Sequence, residues 1–78
     1  MNDLLKRVTF APNIFGGKPI IRGMRISVEM ILDLLSQGAT VEELLEDYPM
    51  LEADDIRACL AYAKTVIANE DVEAYAIA

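Results

Sequence analysis

Within residues 16–27, GGKPIIRGMRIS, the cations Lys18, Arg22 and Arg25 are punctuated by three glycines and a proline. A compact basic element of this kind suits contact with a polyanion. Extended arms reach into DNA grooves, and an arginine side chain reads guanine through two parallel hydrogen bonds. Lys6 and Arg7 stand just upstream, and Arg57 lies further along the chain. These six residues form a candidate DNA-contact set. The same stretch also reads as architecture: Gly17 and Gly23 permit tight turns, Ile20, Ile21 and Ile26 cover a helical body, and the cations pair with acids elsewhere. Both readings stand on the residues alone.

Other chemistry finds less support. The chain has no histidine, and no serine or cysteine has an evident base beside it. GGKP is no phosphate-binding loop, because that motif requires glycine at position 12 and serine or threonine at 19, and both are proline. A structural zinc site requires more soft ligands than one cysteine supplies. Cys59 sits in the apolar run IRACLAYA and reads first as a small packing residue. The acid pairs 42–43 and 54–55 fall at helix starts, where capping explains them. The expectation is a protein without catalysis, metal or cofactor.

The net charge of −6 hides an asymmetry. Residues 1–27 carry five cations and one acid, a balance of +4, whereas residues 28–78 carry two cations and twelve acids, a balance of −10. A basic front and an acidic body suit two kinds of partner, or each other in a dimer. One domain of 78 residues, 54% apolar, has more apolar surface than a core this small consumes. A homodimer is expected, with the second subunit or a protein partner burying the surplus. No run is long and apolar enough to span a membrane, and the first residues lack the order of a secretory signal. A cytoplasmic location is the expectation.

Residues 7–10, RVTF, read as a short strand, and 19–26 as two short extended pieces around a turn at Arg22-Gly23. Ser27 is an N-cap for a first helix over 28–36, with Gly38 as its stop. Thr40 to Glu43 is a capping box opening a second helix, 41–47, and Pro49 ends it. A third helix is predicted over 53–68 with two apolar stripes: Ile56, Leu60, Ala63 and Ile67 in one, Cys59, Tyr62 and Val66 in the other. That width points to a partner interface at Cys59, Tyr62 and Val66, joined by Tyr75 from the tail at 69–78.

A short second helix, a tight connection and a longer third helix resemble a helix-turn-helix unit. Its acidic start, Glu52, Asp54 and Asp55, faces the wrong way electrostatically for phosphate. The run from GGKPIIRGMRIS through ATVEELLEDYP to IRACLAYA resembles the small bacterial family known as domain of unknown function 433, over Val8 to about Ala63. Met24 and Glu52 depart from it, where the family has threonine and serine or threonine. The resemblance implies a winged-helix or homeodomain-like fold and an antitoxin role of the VapB type, paired with a PIN-like ribonuclease toxin. The resulting expectation is a single mainly α domain. It has a basic β-arm at 1–27, a three-helix homeodomain-like or winged-helix-like core at 28–68, and a tail at 69–78. The expected function is to bind a toxin and its own operator DNA. The alternatives are a DNA-binding regulator alone, or an interaction dimer with neither activity.

Overall fold

The computed structural model describes residues 3–77, with side chains as far as Ala68. It is mainly helical. Helices α1 (Val28–Ser36), α2 (Val41–Asp47) and α3 (Ala53–Ile77) follow two short antiparallel strands, β1 (Val8–Thr9) and β2 (Ile20–Ile21). Val8 pairs with Ile21 and Thr9 with Ile20. A 3-10 turn, Asp3–Arg7, precedes β1, and it is the element that α3 packs against most extensively.

The local signals explain the helix limits. Ser27 accepts a hydrogen bond from the Met30 N–H, so it caps α1. Thr40 and Glu43 satisfy each other's backbone N–H groups at 3.1 and 2.8 Å, a complete capping box. Gly38 has φ +101°, a conformation that a side chain resists, and it closes α1 where an ordinary residue would be strained. The turn after β2 has φ +45° at Arg22 and +72° at Gly23. The Met24 N–H returns to the Ile21 carbonyl at 2.8 Å, and the Ile21 N–H donates to the Ile26 carbonyl at 3.0 Å. Two extended pieces thus flank Arg22-Gly23, as the sequence suggested.

Two expectations need correction. The strand predicted at 7–10 is only Val8–Thr9, because Arg7 closes the 3-10 turn and Phe10 lies exposed beyond the ladder. The third helix does not stop near residue 68 but continues to Ile77. Residues 69–77 contain neither glycine nor proline, so nothing local terminates it. At about 1.5 Å per residue, 25 residues make a rod of about 37 Å, far longer than α1. The basic segment packs into the body, as its isoleucines suggested. Val8, Ile20, Ile21 and Ile26 belong to the core with Val28, Ile31, Leu44, Leu51, Ile56, Ala58 and Cys59. Removing residues 1–27 would strip the core of four aliphatic side chains, each worth about 1.5–3 kcal/mol of burial.

Candidate functional site

Two features dominate the surface: a charged clamp, and an apolar groove. The clamp is built on Asp55, in the first turn of α3 and fully buried. Its carboxylate accepts from Arg22 Nε at 3.0 Å and Nη2 at 2.7 Å, a two-pronged grip. Arg7 Nη1 donates to it at 3.0 Å, and the Glu52 N–H at 2.8 Å. This last bond satisfies a backbone donor just before α3, the second half of a capping box. Arg7 also reaches Glu52 Oε1 at 2.7 Å, and Arg22 Nη2 donates to the Met50 carbonyl at 3.0 Å.

Burial alone would raise the Asp55 pKa. The bonds from Arg22, the Glu52 N–H and Arg7 outweigh it and hold the carboxyl below the usual range. Asp55 is therefore a fixed anion. The guanidinium pKa values of Arg7 and Arg22 rise in return, chiefly through their hydrogen bonds to Glu52 and Asp55 respectively. Arg22 accepts a left-handed backbone, an unfavourable state for a side-chain-bearing residue. Its three side-chain bonds and the bond from its own N–H to the Arg7 carbonyl at 2.8 Å hold it there.

The six candidate DNA contacts separate accordingly. Arg7 and Arg22 are turned onto α3 and held by its acids. Lys18 pairs with Glu29 at 2.9 Å, Lys6 with Asp3 at 3.5 Å, and Arg57 with Asp54 at 3.1 Å, all at exposed positions or nearly so. Among the described residues, Arg25 makes no ion pair, and it is exposed. The structure does not bring the six together into one basic patch. Glu52, which replaces the family's serine or threonine, uses its side chain on Arg7 instead of on the helix start. Met24, the other departure, packs against the core.

The groove lies between α1 and α3. Val28 and Leu32 form one wall and Tyr62, Val66 and Ile67 the other, with Pro19 closing one end, around a volume of about 330 Å³. Its lining is almost wholly apolar. Ile67 is 54% exposed. Tyr62 carries the surface on to Phe10, 57% exposed, with ring centroids 6.2 Å apart. A second depression, of about 590 Å³ and lined by Ser27, Met30 and Asp33, shares Glu29 and Leu32 with the groove.

The expected interface residues divide. Tyr62 and Val66 line the groove, but Cys59 does not belong to it: its side chain is fully buried in the core. It sits one turn nearer the helix start, in the core cluster with Val8, Ile21 and Ile56. Burial, with the Asp55 charge adding to it, pushes the thiol pKa up to about 12, so Cys59 is an inert packing group. The Tyr75 side chain lies outside the described residues. The predicted stripe of Ile56, Leu60, Ala63 and Ile67 also splits, with Ile56 buried and Leu60 51% exposed. Sequence reasoning missed Leu32, Val28 and Pro19 as groove walls. For Leu32 the signal was the breadth of the α1 apolar face; Pro19 carried none. Among the described residues no group of histidine, cysteine or acid side chains is placed to hold a metal ion, and no helix is long and apolar enough to cross a membrane.

Comparisons with known proteins agree with this architecture. The model for the family described as "Protein of unknown function (DUF433)" matches residues 8–63. The uncharacterised protein y4eO of Sinorhizobium fredii (strain NBRC 101917 / NGR234) is 40% identical over 57 residues, 73% of this chain and 26% of its own length. The chain thus spans about a quarter of that relative. A crystal structure of a DUF433 member protein from Anabaena variabilis ATCC 29413 is similar at 34% identity with a TM-score of 0.74, covering 86% of this chain and 66% of that one.

Proposed function

The chain belongs to the DUF433 family, and from that premise we propose that it is an antitoxin-like protein-binding module whose partner is a PIN-like ribonuclease toxin. The observation that carries this reading is the open apolar groove between α1 and α3, extended over Tyr62 to Phe10. An exposed concave apolar surface on so small a domain costs solubility unless something covers it. The acidic balance of residues 28–78 suits a basic partner such as a nucleic-acid-cleaving enzyme.

A DNA-binding role, with α2 and α3 as a homeodomain-like or winged-helix-like reader, has one observation in its favour: Arg25 is exposed and unpaired among the described residues. Against it, the start of α3 presents Glu52 and Asp54 to solvent, and Arg57 is engaged by Asp54. Phosphate attraction is weak at such a surface. Protein binding is therefore the primary activity in this proposal, and operator binding is secondary.

Co-expression with the product of the neighbouring gene tests the proposal. The expected result is a stoichiometric complex in which the partner's ribonuclease activity is suppressed. Two freely separating proteins would sink it. In parallel, titration of the chain's own upstream DNA at two salt concentrations measures the secondary role. Salt-sensitive, sequence-dependent binding that Arg25→Ala abolishes would promote DNA reading to first place.

A further inference from the structure

Resting on the protein-binding reading above, we infer that the groove between α1 and α3 takes one amphipathic helix of the partner, with its apolar face inward and its lysines or arginines over α1. The occupant's shape follows from the lining. A small-molecule pocket combines apolar walls with a few convergent polar groups that fix orientation. Here the walls are apolar and the lone charged group is Glu29, at the rim and 72% exposed. A trough between two helices, open along one side, is the receiving half of helix-in-groove recognition. In that mode side chains spaced i, i+3 or i+4, and i+7 supply the anchors. Leu32 faces Val66 and Ile67 across the trough, so the anchors meet aliphatic carbon on both sides.

The occupant's charge follows from the rim. Glu29 and Asp33 lie one turn apart on α1, beside the depression that adjoins the groove. Lys18 holds Glu29 in an exposed ion pair of small worth, which an incoming cation can replace. A second copy of this chain fits poorly. A two-fold interface brings the same patch from both copies together, so the Glu29 and Asp33 of both would crowd into one interface. Each copy would also bring a net charge of −6. A cationic helix meets the opposite conditions on both counts.

The probe is a synthetic helix of about 14 residues with leucines at i, i+3, i+4 and i+7 and lysines elsewhere. Its twin carries glutamate in place of each lysine. Both are titrated into the full chain while backbone amide NMR shifts and affinity are followed. The expected result is saturable binding of the lysine peptide, with shifts at Leu32, Val66 and Ile67. Ile67→Gln, an exposed change that leaves the core intact, should weaken it roughly tenfold. Leu60→Gln, equally exposed but outside the groove lining, should leave it unchanged. Asp33→Lys should weaken it about threefold at low salt and much less at high salt.

Equal affinity for the glutamate twin would overturn the charge assignment. Indifference to Ile67→Gln, or shifts centred on Leu60, would overturn the groove. Self-association of the free chain that Ile67→Gln abolishes would assign the groove to a second copy and overturn the proposal. The peptide result is independent of the co-expression result. A toxin complex without peptide binding would leave the antitoxin reading intact and move its interface elsewhere. Peptide binding without a toxin complex would keep the groove and change the partner.

Discussion

Two stretches of α3 are opposites. Its first turn carries the clamp, where a fully buried carboxylate satisfies two arginines and a backbone N–H, and no buried side-chain polar atom among the described residues lacks a hydrogen-bond partner. About two to three turns further along, Tyr62 and Val66 carry the groove, apolar and uncovered. The clamp is a closed account of charge, whereas the groove leaves apolar surface in water. The contrast teaches that the most conspicuous sequence feature, the basic glycine-punctuated segment, serves largely to fasten the chain to itself. The less conspicuous helical faces are the ones left available to a partner.

The largest expected effect that tests this contrast is at Asp55. Asp55→Asn removes the charge while keeping the shape, and leaves Arg22 without its anion while Arg7 keeps Glu52. Breaking a buried pair from one side costs about 3–5 kcal/mol, and the partial exposure of both arginines puts this case near about 3. Urea unfolding measures it. A loss under about 1 kcal/mol would mean the clamp is an ornament of the fold.

The pH dependence of stability sharpens the same point. Because the folded-state pKa of Asp55 is lowered, its contribution is complete above the unfolded value of about 3.9 and disappears as pH falls through the lower folded value. Wild-type stability should therefore drop on acidification below about pH 4, and that part of the drop should be absent in Asp55→Asn. Parallel acid curves for the two proteins would contradict the assignment.

A smaller effect is expected at Gly23, whose φ of +72° completes the turn that aims Arg22. A Cβ there meets nothing within 4 Å, so Gly23→Ala carries only the backbone penalty of about 1 kcal/mol, readable as a modest fall in Tm. The smallest effect belongs to the groove. Ile67→Gln should change stability by less than about 0.5 kcal/mol while weakening helix binding roughly tenfold. A large loss of stability there would mean that α3 already uses Ile67 within its own fold, and the comparison between the two stretches would fail.

Much of the secondary structure was legible because its signals are local. Ser27, the Thr40–Glu43 box and Gly38 act within a turn of themselves, and the limits of α1 and α2 follow from them. The end of α3 was less legible, since residues 69–77 contain no stop and only the absence of one pointed onward. The candidate site was legible in kind but not in membership. Tyr62 and Val66 were visible as surplus apolar side chains. Cys59 shares their spacing, yet it is fully buried in the core, and α3 is covered where residues 3–9 fold back onto it.

By itself, then, the sequence determined the family, three helices with their caps, a hairpin turn at Arg22-Gly23, and an uneven distribution of charge. Those properties are written in neighbouring residues or in totals, and they survive without knowledge of the chain's path. Only the tertiary structure decided what the cations do. Arg7 and Arg22 meet Asp55 across 48 and 33 residues of chain, and no local spacing encodes that meeting. The groove is likewise a product of two helices whose facing walls exist only once they pack. Ion pairs and concave surfaces are relations between distant segments, so the fold, and not the order of residues, assigns them.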